Sequence, residues 1–498
     1  MASRILGFVR DIMIAAFLGS GPIAQAWFVA FSLPNMFRRF FAEGAFNAAF
    51  VPLFSKKLES DDDPGSFARD AFSGMAFILV IFTAIAMVAM PLLVYAMASG
   101  FSGDARFDLS VTMGRITFPY LGLISLSALA SGVLNATGRF AAAAAAPVLL
   151  NVVLIAAMAG THLAGGNVGM ALAWAAPVAG IAQLALVWVA AKRAGFPLTL
   201  RRPRLTPELK RLAIIAAPAA LAGGVVQVNL LVGRQVASFF DGAVAWLSMA
   251  DRLYQLPLGL VGVAIGVVLL PDLSRRLQAS DEAGSQNAFN RANEFALALT
   301  LPAAAALIAI PGPLIATLFQ RGAFAASDTT ATAAAVAIYG AGLPAFVLLK
   351  TVTPLYFARE NTKTPFRFAL WAMVINAGLA IGLAPLMGYL AAALGTTVAA
   401  WANLALLWRG ARAMGAASTI DAAARQRLPR ICLASVLMGG VIWGAASLIW
   451  PTYGAGLSRY AALAVLVAVG AASYGVLVLA LGGLDRTELK NALKRRRA

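Results

Sequence analysis

The sequence predicts an all-α polytopic membrane protein with about fourteen transmembrane helices. Three observations predict this class: 61% of the 498 residues are hydrophobic, only 12% are charged, and the apolar runs are continuous over roughly 20 residues. A soluble domain is about 45–50% apolar and about 25% charged. An outer-membrane barrel would instead show alternating segments of about ten residues, so the sequence favours helices.

Turn residues and charge clusters divide the chain into fourteen predicted apolar segments. In chain order, segments 1 to 14 cover 1–19, 23–55, 72–99, 109–136, 140–161, 166–191, 211–238, 243–274, 290–319, 328–357, 364–386, 390–412, 428–449 and 457–482. No cleavable signal peptide is expected at the start, because Arg10 and Asp11 interrupt the first apolar run.

Lysine and arginine are distributed unevenly among the connections between these segments. The connections after even-numbered segments, together with the C-terminal tail, hold 28 of the 39 basic residues, whereas those after odd-numbered segments hold four. Because cytoplasmic loops are enriched in lysine and arginine, both termini are predicted to lie in the cytoplasm. The net charge of +18 is therefore assigned to these loops and not to nucleic-acid binding.

An internal repeat relates the two halves of the chain. "VPLFSKKL" at 51–58 and "LPDLSRRL" at 270–277 end segments 2 and 8, and a threonine precedes an asparagine by 14 residues at Thr137 and again at Thr362. Parallel repeats around a central site are a common transporter design; the alternative is convergent loop composition. The repeat predicts two pseudo-symmetric six-helix lobes around a central cavity, followed by two C-terminal helices, with boundaries at 1–205, 206–415 and 416–498 including a basic cytoplasmic tail.

The remaining seven basic residues fall inside predicted segments. They are Arg4, Arg10, Arg38, Arg39, Arg234, Arg252 and Lys350. A charge at mid-bilayer costs roughly 2.5–3.5 kcal/mol on insertion scales. We therefore expect these side chains to face a hydrated, cationic cavity or a partner, apart from Arg234, which is predicted to reach the interface.

Segment 1 carries three charges within "SRILGFVRD". Arg4 and Asp11 are seven residues apart and share a helix face, whereas Arg10 points about 100° away from Asp11. Arg4 could reach the cytoplasmic interface by snorkelling, but Arg10 lies too far into the segment. Arg10 is therefore a candidate cavity residue.

Segments 2 and 8 each place charges beside a proline. In segment 2, Arg39 and Glu43 have the i, i+4 spacing of an ion pair, which leaves Arg38 without an intrahelical carboxylate. In segment 8, Asp251 and Arg252 are adjacent and precede Gln255. Because arginine presents a planar fork of donors that matches phosphate oxygens, a cavity lined this way suits a phosphate or pyrophosphate.

Other chemistry finds little support in the sequence. His162 is the only histidine and Cys432 the only cysteine, so we predict no metal site, no catalytic histidine and no disulfide. The acidic run at 61–63 lies in a polar loop and is interpreted as a solvated spacer, which disfavours a membrane-embedded glycosyltransferase or phosphotransferase. No phosphate-binding loop motif is present, so ATP is not the expected energy source.

Four stretches resemble the MurJ (MviN) lipid II flippase family. They are "SRILGFVRD", "FVAFSLPNMFRRFFAEGAFNAAFVPLFS", "ADRLYQLPLGLVGVAIGVVLLPDLSR" and "YFARENTKTP". The resemblance implies the fourteen-helix fold of the multidrug/oligosaccharidyl-lipid/polysaccharide exporter superfamily. It also implies movement of lipid II, the undecaprenyl-pyrophosphate-linked peptidoglycan precursor, to the outer leaflet of the bacterial plasma membrane. Segments 13 and 14 would form a lateral groove for the lipid tail.

The resemblance also assigns site residues. The family's required cavity arginines match Arg4, Arg10, Arg38 and Arg252 as a pyrophosphate clamp, and its helix 8 acid matches Asp251. Asp11, Glu43 and Asp251 are the candidates for coupling to a proton or monovalent cation, and Arg39, Gln25, Gln255 and Lys350 are further cavity candidates. Gln25 and Gln255 depart from the family, which often has acids at these positions.

The expected partners are lipid II, membrane lipids and cell-wall synthesis proteins, with no cofactor. Transport would proceed by rocking of the lobes, driven by the membrane potential or an ion gradient. The alternative functions are a flippase for another polyprenyl-linked oligosaccharide of the O-antigen type and, with less support, a drug or cation antiporter. A cationic cavity disfavours the antiporter.

Overall fold

The computed structural model describes residues 2–39, 41, 45–60 and 62–483. Within these ranges the regular secondary structure is helical, without strands. The helices are α1 Ala2–Leu18, α2 Pro22–Arg38, α3 Ala45–Glu59, α4 Pro64–Val88, α5 Met90–Ala98, α6 Ala105–Thr117, α7 Tyr120–Ala136, α8 Ala141–Leu163, α9 Val168–Arg193, α10 Pro207–Ala237, α11 Ala243–Gln278, α12 Glu282–Ala309, α13 Pro311–Leu318, α14 Ala326–Phe357, α15 Lys363–Met387, α16 Leu390–Ala411, α17 Ala422–Tyr453 and α18 Ser458–Ala480.

The predicted fold class, an all-α polytopic membrane protein, is confirmed. Among the described residues, ten helical segments are long and apolar enough to cross a membrane. Large apolar side chains also point outward from them, including Val88 at 80% exposure and Trp371 at 61%. Such exposed apolar surface is expected where lipid, and not water, surrounds the helices.

Ten of the fourteen predicted segments coincide with one helix each, and segments 2, 3, 4 and 9 are each divided into two. Three of these divisions fall at a proline: α4 gives way to α5 just before Pro91, α6 to α7 at Pro119, and α12 to α13 at Pro311. Proline has no N–H to donate to the carbonyl four residues earlier, so the helix breaks or bends there. In segment 2, α2 ends at Arg38, after and not at Pro34.

Prolines also leave backbone carbonyls without their usual amide donor, and side chains from other helices replace it. The carbonyls in question lie four residues before Pro34, Pro91 and Pro302. Thr117 Oγ1 donates to the Ala30 oxygen at 3.4 Å, Arg115 Nε to the Met87 oxygen at 3.1 Å, and Tyr474 OH to the Ala298 oxygen at 2.7 Å. In an apolar surrounding these bonds satisfy groups that would otherwise be costly to bury.

The chain divides into two compact units. Unit 1 comprises Met1–Ala245 with Arg321–Phe324, and unit 2 comprises Trp246–Gln320 with Ala325–Ala498. Helix α10, which opens the predicted second lobe, packs in unit 1 against α3 and α5. The predicted division into lobes at 205 and 415 rests on the sequence repeat and stays a prediction.

Each unit has its own apolar core. In unit 1, side chains of α1, α2, α6, α8 and α9 pack together, with Ile14, Trp27 and Leu154 almost fully buried. In unit 2, α12 packs on α17 and α18 around Met438 and Leu466. The unit 1 core fixes α1 against α8, and this contact positions the first candidate site.

Candidate functional site

Helix α1 carries a buried ion pair. Arg10 is 7% exposed and Asp11 3% exposed. Arg10 donates from Nε at 3.0 Å and from Nη2 at 2.7 Å, both to Asp11 Oδ1. Although helical geometry points adjacent side chains about 100° apart, the long arginine side chain bends back to its neighbour. The sequence analysis did not predict this pairing.

Asn151 of α8 completes the surroundings of Arg10. Its Oδ1 accepts a hydrogen bond from Arg10 Nη1 at 3.0 Å. Its Nδ2 donates to the Ser3 carbonyl at 3.0 Å and to the Pro147 carbonyl at 3.2 Å. One amide side chain therefore joins α1 to α8 and fixes the orientation of the Arg10 guanidinium. In the sequence, Asn151 stands out only as the asparagine that follows Thr137 by 14 residues.

The other predicted basic residues of unit 1 are more accessible. Arg4 is exposed on the first turns of α1, Arg38 is half-buried at the end of α2, and Arg39 is exposed. Glu43 lies outside the described residues, so its predicted ion pair with Arg39 stays a prediction.

Gln25, a predicted cavity residue, is 2% exposed and packs beside a second buried arginine. Its Oε1 accepts from Arg106 Nη1 at 3.4 Å. Arg106 also forms ion pairs with Asp104 at 2.6 Å and Asp241 at 2.9 Å, and stacks over the Phe101 ring at 4.6 Å. The Arg106 backbone N–H, and then its guanidinium, lower the pKa of Asp104 below its ordinary value of 3.8. We call Arg106 with Gln25, Asp104, Asp241 and Phe101 the Arg106 cluster. Its ion pair with Asp241 joins the start of α6 to the connection after α10.

Unit 2 holds the remaining predicted residues. Asp251 accepts a hydrogen bond from Gln255 Nε2, one helical turn further along α11. Arg252 and Lys350 are both exposed. The Lys350 side chain lies beside Gly262 of α11, where an added Cβ would be 3.6 Å from Lys350 Cγ, an ordinary van der Waals contact. The Asp251–Gln255 contact was not predicted, although the i, i+4 spacing could have indicated it.

The structure thus brings Arg10 together with Asp11, and Asp251 together with Gln255. Arg4, Arg10 and Arg38 belong to unit 1 and Arg252 to unit 2, so their convergence on one cavity stays a prediction.

Two polar clusters were missed by the sequence analysis. One is the Arg106 cluster: Arg106 is one of the four basic residues counted in the connections after odd-numbered segments, and Asp104, two residues earlier, was the available signal. The other centres on Glu294 of α12, which accepts from Arg291 at 2.6 Å and from Arg427 of α17 at 3.2 Å. The i, i+3 spacing of Arg291 and Glu294 was an available signal, whereas no local signal joins Glu294 to Arg427.

A family model and curated relatives match almost the whole chain. The family model described as "Lipid II flippase MurJ" matches residues 14–462. A curated relative from Rhizobium tropici, named probable lipid II flippase MurJ, is 43% identical over 507 residues, covering 100% of this chain and 95% of the relative.

Solved structures agree with this match. A lipid II flippase MurJ in an inward closed conformation superimposes with a TM-score of 0.80 at 25% identity, covering 95% of this chain and 96% of that one. An inward-facing multidrug resistance MATE family transporter of the MOP superfamily gives a TM-score of 0.72 at 14% identity, covering 83% and 95%. The second likeness concerns the fold alone.

Proposed function

Because this chain belongs to the lipid II flippase MurJ family, we propose that it moves lipid II from the inner to the outer leaflet of the bacterial inner membrane. The similarity to a relative of that name, which extends over the full length of the chain, carries this proposal. The protein is accordingly a multi-pass transporter and not an enzyme. Its contribution to peptidoglycan synthesis is to deliver the precursor to the outer leaflet.

The pyrophosphate of lipid II is bound by Arg4, Arg10, Arg38 and Arg252. Guanidinium groups hold phosphate oxygens through paired, charge-assisted hydrogen bonds. Arg10 donates once each from Nε, Nη1 and Nη2 to Asp11 and Asn151. A guanidinium has five N–H groups, so Nη1 and Nη2 each keep a second N–H for a pyrophosphate oxygen. Asn151 keeps the guanidinium oriented for this contact.

Asp11, which accepts from the Arg10 guanidinium, is the first candidate for coupling to a counter-ion. Glu43 and Asp251 are the other candidates. Their role is to compensate the positive charge of the empty carrier as it returns, with a proton or monovalent cation as the counter-ion.

The membrane potential can supply the driving force. Moving about two negative charges outward across 100 mV gains roughly 4.6 kcal/mol, at about 2.3 kcal/mol for each charge.

The N-terminal and C-terminal ends both face the cytoplasm in this proposal, as the distribution of basic residues predicts. Association with cell-wall synthesis proteins remains a prediction from the family resemblance.

The test is to express the chain in a bacterium depleted of its own lipid II flippase and to assay lipid II in the outer leaflet. The proposal expects growth and outer-leaflet lipid II from the unaltered chain and from Arg367→Gln, an exposed arginine on α15. It expects neither from Arg38→Gln. Growth without lipid II in the outer leaflet would point to another polyprenyl-linked oligosaccharide, and full activity of Arg38→Gln would exclude the clamp.

A further inference from the structure

An apolar groove lies on unit 1, and its lining includes none of Arg10, Asp11 and Asn151. Its volume is about 1010 Å³, and it runs between the end of α7, the start of α8 and the second half of α9. Apart from two arginines at one end, its lining is apolar or glycine. It is formed by Leu134, Gly138, Arg139, Phe140, Ala141, Ala142, Ala145, Ala182, Ala185, Leu186, Val189, Ala190 and Arg193.

Small side chains on both walls create the space. Helix α8 begins with six consecutive alanines at 141–146, and α9 presents Ala182, Ala185 and Ala190 opposite them. Phe140 stands at the rim and is 61% exposed, and Val189 is 39% exposed. These surfaces belong to helices that are long and apolar enough to cross a membrane, so lipid chains and not water fill such a recess.

The two arginines give the groove a charged end. Arg139 Nη1 donates to the Arg193 carbonyl at 3.3 Å, which holds both guanidinium-bearing residues together where α9 ends. Neither takes part in an ion pair with a described carboxylate, and no acid is among the lining residues. This end of the groove therefore attracts an anion.

We propose that this groove binds an acidic phospholipid, with its phosphate at Arg139 and Arg193 and an acyl chain along α8 and α9. The length of the groove favours this occupant. From Ala182 to Arg193 the helix rises eleven residues, or about 17 Å at about 1.5 Å per residue. One leaflet contributes about half of a hydrocarbon core of roughly 30 Å, so an ordinary acyl chain spans the groove. An undecaprenyl chain is much longer than one leaflet.

Native mass spectrometry of the purified full-length protein tests the proposal. Palmitoyl-oleoyl phosphatidylglycerol and the zwitterionic phosphatidylcholine of the same chains are titrated against four variants. Arg139→Gln with Arg193→Gln removes the charged end, and Ala145→Phe fills the groove. Arg201→Gln with Arg202→Gln removes equal charge outside the groove, and Ala156→Leu enlarges an exposed alanine of α8 outside it.

The expected result is tighter binding of phosphatidylglycerol than of phosphatidylcholine. Loss of both groove arginines should weaken it by roughly 25-fold, since each arginine near an anionic headgroup contributes about fivefold. Ala145→Phe should abolish the preference, while both control variants and an excess of free inorganic phosphate should leave it unchanged.

Three results would overturn the proposal. The first is equal binding of the two lipids, and the second is unaltered phosphatidylglycerol binding in both groove variants. The third is that an undecaprenyl-pyrophosphate lipid displaces phosphatidylglycerol, and that the groove variants also bind this lipid more weakly than the unaltered protein does. That outcome would assign the groove to the transported substrate. Thermal melting of each variant confirms that the fold is retained.

Discussion

Removing the charge of Asp11 should destabilise unit 1 severely. Asp11→Asn leaves the Arg10 guanidinium, whose side chain is only 9% exposed, without its carboxylate partner. Breaking one side of a buried ion pair costs about 3–5 kcal/mol. The unfolding entropy is about 2.1 cal/mol/K per residue, or about 0.5 kcal/mol/K for the roughly 245 residues of unit 1. The melting temperature should therefore fall by about 6–10 °C if this unit unfolds cooperatively.

Removing both charges should cost less than removing one. In Arg10→Gln with Asp11→Asn, no uncompensated charge is left buried, and replacing a whole buried pair is often close to neutral. We expect this double variant to recover at least half of the lost melting temperature. The assay is thermal unfolding of the purified protein in mild detergent, followed by tryptophan fluorescence. Asp108→Asn, an exposed acid in the first turn of α6, is the matched control and should change stability by about 1 kcal/mol or less.

Two outcomes would refute this reasoning. If Asp11→Asn melts with the control, the Arg10–Asp11 contact contributes nothing to the fold. If the double variant melts no higher than Asp11→Asn, removing the second charge brings no recovery and the buried pair is not the unit of stability.

Three further predictions concern contacts outside the ion pair. Arg106→Gln should speed hydrogen exchange in the connection after α10 by up to about fivefold, because an ion pair with an exposed carboxylate such as Asp241 contributes up to about 1 kcal/mol. Hydrogen exchange is measured by mass spectrometry, and unchanged exchange would contradict the role given to the Arg106 cluster. Because the pKa of Asp104 is lowered, the stability that its carboxylate contributes is present above pH 3.8 and is lost only as the pH falls through the lowered pKa. The melting temperatures of Asp104→Asn and of the unaltered chain should therefore change in parallel between pH 7 and pH 5. Tyr474→Phe should lower the stability of unit 2 by about 1–3 kcal/mol in thermal unfolding, because the Ala298 carbonyl loses its replacement donor; an unchanged melting temperature would show that this bond contributes little.

The sequence predicted the helices well because membrane-spanning helices are long, continuous and apolar. It did not predict where segments 3, 4 and 9 divide, although Pro91, Pro119 and Pro311 stood in them. Pro34 lies within the continuous α2, and Thr117 of α6 provides the replacement donor. At Pro91, Arg115 also provides such a donor, yet α4 ends just before this proline. A replacement donor therefore does not decide by itself whether a helix continues, and the packing around each proline is not contained in a linear pattern.

The structure describes contacts of the candidate site that the sequence did not predict. The cost of burying charge in a membrane drew attention to Arg10 and Asp11, and both are buried in the structure. That they bond to each other, and that Asn151 holds them from α8, depends on side-chain length and on the packing of helices 140 residues apart. Arg106 was overlooked because it stands just before an apolar segment, where a loop position and a buried position give the same pattern.

We propose that Arg38 and Arg252 bind the same pyrophosphate, and a double-mutant cycle on binding tests this proposal most sharply. The affinity of the purified protein for an undecaprenyl-pyrophosphate lipid is measured for the unaltered chain, Arg38→Gln, Arg252→Gln and the two changes combined. We expect a loss of at least about tenfold in each single variant, and a combined free-energy loss that differs from their sum by more than about 0.5 kcal/mol. Unchanged affinity in either single variant, or losses that simply add, would contradict it.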